Sequence, residues 1–284
     1  MPTIKLCAFA DESSAVFEEQ IVALLRNNIP YMEMRNVDGK NVKKLTVEEA
    51  KEYKKRLDDK DLAVWSIGSP IGKSEIADDF QIVEDTLKHV CELALTLGTD
   101  KIRMFSFHHA TEAREEVLSR LCRMVEIAKD FGVGLYHENE KGIYGDIAAR
   151  VQDIMDSVPG LYHIYDPANF LQVGESSDDT LRLFHDRADY FHIKDVIAAT
   201  GELVPAGYGD GNIHKLVADI KTDKVLSVEP HLKIFDGYGQ IDDTAMKHKF
   251  HFQSNVEAFD AAVNAIKAVL LANGYTEKER SFVK

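Results

Sequence analysis

GVGLYHEN at residues 132–139, LYHIYDPAN at 161–169, DYFHIKD at 189–195 and KVLSVEP at 224–230 decide the fold of this chain. Each is a short apolar run that leads to an acidic or imidazole side chain: Glu138, Asp166, His192 and Glu229. The gaps between these four are 28, 26 and 37 residues. One strand-plus-helix unit takes about 30 residues. Four successive βα units would therefore each present one polar group at the same level of a barrel. That level is the carboxyl end of the strands, where TIM-barrel chemistry sits.

Working outward, β-rich runs occur at 3–9, 30–35, 62–68, 101–107, 132–138, 161–166, 190–194 and 225–229. Helical patterns lie between and after them. Residues 79–97 repeat apolar positions at Ile82, Leu87, Val90, Leu93 and Leu95, then stop at Gly98. Residues 112–130 carry Val117, Leu121, Met124, Val125 and Ala128. Residues 254–273 carry Val256, Phe259, Val263, Ile266 and Leu270 before Gly274. Strands alternating with amphipathic helices mean parallel β-structure. Eight strands close a TIM barrel, and a barrel makes the last four strand ends converge. An open doubly wound sheet would spread them along an edge, and no GxGxxG follows the first strand. The expected architecture is a single (β/α)₈ TIM-barrel domain over 1–284. Long loops near 201–214 and 230–253 follow ligand-bearing strands and are expected to cover the active site.

The net charge is −14. Such a chain repels nucleic acid unless it carries a basic stripe, and no long Lys/Arg block occurs. Cys7, Cys91 and Cys122 are far apart, so neither a disulfide framework nor a thiolate metal site is indicated. The N-terminus has no basic segment followed by a long apolar one, and no run approaches a membrane span. A cytoplasmic protein with no membrane or nucleic-acid partner is expected; a homo-oligomer is compatible with the sequence.

Parity sharpens the site. Side chains alternate faces along a strand, so Glu138 shares a face with Tyr136, Glu229 with Ser227, Asp166 with Ile164, and His192 with Lys194. Singly, each polar residue reads as an ordinary loop start. Together, three carboxylates at one level repel one another unless a cation sits among them. Three carboxylates and an imidazole form a hard set suited to one divalent ion: Mn, Mg or Co, with Zn also accommodated. Counting only these groups leaves the centre short of positive charge, so a neutral polyol or keto group is the expected ligand there.

LYHEN, YDPANF, HIKD, VPAGYGDGNI and LSVEPHL, in that order within 132–232, resemble the sugar isomerase/epimerase superfamily of xylose-isomerase-like TIM barrels. The resemblance implies that Glu138, Asp166, His192 and Glu229 bind one divalent ion. In ketose 3-epimerase members it further implies that the two Glu ligands, here Glu138 and Glu229, exchange a proton on opposite faces of the substrate. Relatives often carry a His three residues after the strand-6 Asp, where this chain has Asn169. In the related multi-zinc apurinic endonucleases that His is a ligand, so its absence favours one metal.

The expected activity is isomerisation or epimerisation beside a carbonyl of a sugar, sugar phosphate or cyclitol, through an enediolate, with Glu138 and Glu229 as acid and base. A dehydratase on the same centre, like the inosose dehydratase relatives, and a non-catalytic sugar-binding module are the alternatives. A phosphoesterase is disfavoured by Asn169 and the charge. Candidates for substrate contact are Lys194, Asn169, His108 and Trp65. Lys194 would hold a phosphate or oxyanion, or else form a structural ion pair. Trp65 would wall a sugar face, or else pack in the core. The glycines of GYGDG at 207–211 read as a weak phosphate cradle or as lid geometry. The acidic surface and Asn169 predict that pure protein leaves an abasic DNA duplex uncleaved at physiological salt; cleavage abolished by Glu229→Gln would contradict this.

Overall fold

The computed structural model describes residues 2–236, 238–240 and 246–284. The eight staves are β1 (Thr3–Ala8), β2 (Tyr31–Met34), β3 (Ala63–Gly68) and β4 (Lys101–Met104), followed by β5 (Gly134–Glu138), β6 (Tyr162–Tyr165), β7 (Tyr190–Ile193) and β8 (Lys224–Val228). They pair in parallel in chain order, and β8 returns to β1 from Ile4↔Lys224 to Ala8↔Val228. That closure makes a (β/α)₈ barrel and removes the open-sheet alternative. Nine helices surround it among the described residues: α1 (Phe17–Arg26), α2 (Val47–Asp58), α3 (Phe80–Leu97), α4 (Arg114–Asp130) and α5 (Ala148–Ser157), then α6 (Pro167–Gln172), α7 (Ser177–Phe184), α8 (Ile213–Ala218) and α9 (Asn255–Ala272). Among the described residues no helix is long and apolar enough to cross a membrane.

Stave parity divides the core in two. Leu6, Met32, Val64, Ile102, Leu135, Phe191 and Leu226 point outward and pack with the helices as one large cluster. Cys7, Tyr136, Ile164, Tyr190 and Val225 point inward and form a separate cluster with half-buried Tyr31 and Trp65. A buried side chain of this size contributes about 1.5–3 kcal/mol, so a one-residue slip of any stave would forfeit both clusters at once.

Local sequence explains where the helices begin and end. Asp79 caps α3 by accepting the Gln81 amide at 3.0 Å, and Gly98 ends it in the left-handed region at φ 79°. The buried stripe of α3 runs through Val83, Leu87, Val90 and Ala94, leaving Ile82 66% and Leu95 50% exposed. Two of the repeating apolar positions are thus on the solvent side, because Val83 and Ala94 fit the facing stripe. Stave β4 stops at Met104, short of the expected residue 107. The Phe105 and Phe107 amides instead donate to the Ile71 and Gly72 carbonyls, both at 2.8 Å, and Phe107 turns at φ 69°. A C-terminal hairpin, Thr276–Lys278 with Ser281–Val283, was not legible as strands; it pairs antiparallel with β1 through Val283↔Thr3 and Phe282↔Ile4.

The 201–214 segment is neither a free lid nor a phosphate cradle. Glu202–Val204 pairs antiparallel with Asp195–Ile197, and Lys247–His248 adds a third short strand. The GYGDG turn then wraps the buried Asp195 carboxylate. Oδ2 accepts the Gly207 amide at 2.9 Å and the Gly209 amide at 3.0 Å; Oδ1 accepts the Gly211 and Val196 amides, both at 2.9 Å. A Cβ at Gly209 would lie 2.4 Å from Asp195 Oδ1 and 2.6 Å from the Val196 carbonyl, so only glycine permits this approach. These donors are already spent on Asp195. Of the 230–253 loop, residues 237 and 241–245 lie outside the described residues.

Asp195→Ala is expected to destabilise the protein by about 2–3 kcal/mol, because four amides lose a charged acceptor. Denaturant unfolding measures this; an unchanged midpoint would contradict the assigned role of the turn.

Candidate functional site

The carboxyl end of the barrel brings Glu138, Asp166, His192 and Glu229 together. One ligand atom from each lies within 4.8 Å of the others, and all four residues are buried. Glu138 is the last residue of β5. Asp166 follows β6 and caps α6, accepting the Asn169 amide at 3.0 Å through Oδ1, which leaves Oδ2 for the ring. His192 is the third residue of β7, and Glu229 follows β8. His192 Nδ1 sits 3.0 Å from Glu138 Oε1 and 3.3 Å from Glu229 Oε2.

Each carboxylate has its own buried cation. Arg103 Nη1 donates to Glu138 Oε2 at 3.1 Å. Arg35 Nη1 donates to Glu229 Oε1 at 2.9 Å. Lys194 Nζ lies 2.9 Å from Asp166 Oδ2 and 3.7 Å from Glu229 Oε2, without hydrogen-bond alignment to either. Thus each Glu has one oxygen clamped by an arginine and the other facing the ring. Burial pushes all of these acids up, and the neighbours decide the outcome. His192 and Arg103 hold Glu138 down to about 2. Lys194 and His192 hold Glu229 well below its usual range. At Asp166 burial prevails over Lys194 and the carboxyl rises to about 7. Burial opposes the charge of His192, but Glu138 and Glu33 outweigh it and raise the imidazole.

Two buried oxygens that face the ring, Asp166 Oδ2 and Glu229 Oε2, accept no hydrogen bond. Undonated carboxylate oxygens converging beside an imidazole nitrogen fit a divalent cation, which would satisfy them together.

The arginines escaped the sequence reading. Arg35 and Arg103 share the inward parity of their staves, and a charge inside KIRMFSF was a usable signal. Glu33 on β2 was missed in the same way; it is fully buried and contacts His192. Beyond the ring, Asp11 and Glu12 pair with Arg35, and the His231 amide donates to Glu12 Oε2 at 2.8 Å. The three cations Arg35, Arg103 and Lys194 correct the expectation of a centre poor in positive charge, which had counted the ring alone.

Of the substrate-contact candidates, Asn169 reaches the ring: its Nδ2 donates to Glu138 Oε1 at 3.3 Å and to the Asn139 carbonyl at 2.8 Å. Lys194 is engaged by Asp166. His108 ties rim loops together through Nδ1 and the Gly142 carbonyl at 3.1 Å. Trp65 is not at this end. It sits early in β3 and lines a cavity of about 230 Å³ at the amino-terminal mouth, with Tyr31, Lys5 and Val225. Of its two readings, interior packing fits this position; inward parity alone does not say at which depth a side chain lies. Glu140 pairs with Lys73 at 3.2 Å outside the ring, and His137 faces outward to Ser106 Oγ at 3.0 Å.

A family model described as "Xylose isomerase-like TIM barrel" matches residues 23–248. No curated protein matches the chain. Among solved structures, a D-allulose 3-epimerase from Methylomonas sp. in complex with D-allulose superposes with TM-score 0.68 at 17% identity, covering 95% of this chain and 97% of its own. The probable 3-DHS dehydratase AsbF of Bacillus anthracis gives TM-score 0.67 at 16% identity over 94% and 99%. An IOLI protein with a bound zinc atom gives TM-score 0.69 at 15% identity over 93% and 97%. At such identities these likenesses bear on the fold.

The ring predicts about one tightly held divalent ion per chain by elemental analysis, lost in His192→Ala and in Glu229→Gln. Wild-type protein that stays metal-free after reconstitution would contradict it.

Proposed function

The chain belongs to the xylose isomerase-like TIM barrel family, and on that premise we propose that it is a divalent-metal-dependent isomerase or epimerase of a sugar, sugar phosphate or cyclitol. The observation that carries the reading is the convergence of Glu138, Asp166, His192 and Glu229 on one buried point. A divalent ion held there would supply a Lewis acid for the substrate's carbonyl oxygen. Enzymes among the structural neighbours, one of them holding D-allulose, support an enzyme with a sugar ligand.

The residues of this chain divide the remaining work. Glu138 comes from β5 and Glu229 from β8, so the two carboxylates approach the centre from different sides of the barrel axis. One would remove a proton from the carbon beside the carbonyl and the other return one to the opposite face. Arg103 and Arg35 fix which oxygen of each Glu faces the substrate, at 3.1 and 2.9 Å on the other oxygen. The same arginines weaken the carboxylates as bases. The acidity of a proton beside a polarised carbonyl offsets that loss. The layer of buried side chains beneath the ring excludes water from below.

The likeness to a probable 3-DHS dehydratase supports a second reading, in which a β-hydroxyl is expelled. In that reading Lys194, buried between Asp166 and Glu229, would donate the proton to the leaving group.

A screen of ketoses, ketose phosphates and inososes in D₂O, followed by NMR, tests both. Epimerisation by two carboxylates places solvent deuterium at the inverted carbon. Glu138→Gln and Glu229→Gln are expected to lose net inversion by more than 100-fold, with metal content checked in the same samples. Complete retention of the original hydrogen during turnover would rule out the two-carboxylate assignment. Loss of water from an inosose or related keto acid would select the dehydratase.

A further inference from the structure

We propose that Glu33 is a positioning residue: it fixes the orientation of the His192 imidazole and thereby sets the affinity of the centre for its cation. This rests on the metal-dependent reading above and deepens it.

Glu33 lies on β2 and is fully buried. Its carboxylate crosses the barrel interior to meet staves β7 and β8. Oε1 accepts the Tyr190 hydroxyl at 2.9 Å; Oε2 accepts the Ser227 hydroxyl at 2.7 Å and faces His192 Nε2 at 3.2 Å. An ionised carboxylate only accepts, so the proton of this last contact resides on Nε2. Nδ1, at the other side of the ring, then faces Glu138 and Glu229. Two aromatic edges complete the socket: Phe9 at 5.3 Å and 86°, and Tyr190 at 5.6 Å and 61°. The imidazole is held by Glu33 and the two aromatic edges with Nδ1 turned to the ring carboxylates, 3.0 Å from Glu138 Oε1.

Glu138, Asp166 and Glu229 each lie against an Arg or Lys, whereas Glu33 meets two hydroxyls and the imidazole of His192. Burying a carboxylate against neutral hydroxyls costs several kcal/mol. What the carboxylate provides is a stronger acceptor for Nε2–H, which orients the ring and raises the electron density at Nδ1. Carboxylate–histidine–metal arrangements do this generally, and loss of the outer carboxylate weakens metal affinity 10–100-fold.

The test compares chelator-stripped wild type, Glu33→Gln, Glu33→Asp and Leu121→Ala by calorimetric titration with Mn²⁺ and Co²⁺. Glu33→Gln keeps the size and removes the charge. Glu33→Asp keeps the charge and loses the reach. Leu121→Ala opens a cavity in the helix-packed outer core and serves as the destabilised control. Both Glu33 variants are expected to raise Kd about 10–100-fold and to alter the Co²⁺ visible spectrum. The melting temperature of metal-free Glu33→Gln should match or exceed that of wild type. Leu121→Ala should lower the melting temperature and leave Kd unchanged. Glu33 variants with Kd within twofold of wild type would overturn the role of Glu33 alone. So would an equal loss of affinity in Leu121→Ala, since the effect would then come from a loosened fold. Wild type that takes up neither ion would overturn the centre itself.

Discussion

Carboxylates buried at the carboxyl mouth of the barrel are the constraint on which the rest of the site depends. Glu138, Asp166 and Glu229 are removed from water within a few ångströms of one another. Uncompensated, such groups would protonate or push the mouth apart. The chain answers with Arg103, Lys194 and Arg35, one beside each acid at 2.9–3.1 Å. Arg103 and Arg35 clamp the outer oxygens of the two Glu, whereas Lys194 lies 2.9 Å from Asp166 Oδ2 on the ring side without hydrogen-bond alignment. Asp166 Oδ2 and Glu229 Oε2 stay undonated, and Glu229 Oε2 faces His192 Nδ1. A site balanced in this way has preorganised ligand atoms, two of them without a hydrogen-bond donor.

The barrel makes this balance affordable in space. Inward and outward parity give each stave two separate duties. The outward residues join the helix-packed core. The inward residues change character along the axis: Tyr31, Trp65, Tyr136 and Tyr190 fill the lower interior, and the charged groups sit above them. Gly68 keeps that transition open, since a Cβ there would lie 2.7 Å from Phe9 Cε1 and 3.3 Å from Arg35 Cβ. Without that gap neither the Phe9 edge against His192 nor the Arg35 clamp on Glu229 would fit. The Asp195 turn does related work outside the barrel, tying the segment after Lys194 so that its side chain leaves β7 in a fixed direction.

Much of this was legible from local pattern. The eight staves, the long helices and the inward parity of Glu138, Asp166, His192 and Glu229 follow from alternation and spacing within short windows. Asn169 was legible as a departure from its relatives, and its contact with Glu138 at 3.3 Å gives it a place beside the ring. Of the two readings of Trp65, interior packing fits its place low in the barrel, because parity gives the face of a stave but not the height along the barrel. Ile82 and Leu95 belong to the apolar pattern of α3 yet face solvent, because an apolar stripe has an edge and only the neighbouring helices decide which edge is covered.

By itself, then, the sequence determined the order of strands and helices and the inward direction of the four polar strand-end residues. These depend on each segment's own side chains and on a period of two or of 3.6 residues. Tertiary structure alone decided which cation meets which carboxylate. Arg35 and Glu229 lie 194 residues apart in the chain, as do Glu33 and Ser227. Coulomb and hydrogen-bond interactions act over a few ångströms, and only the closing of β8 onto β1 brings those distances about.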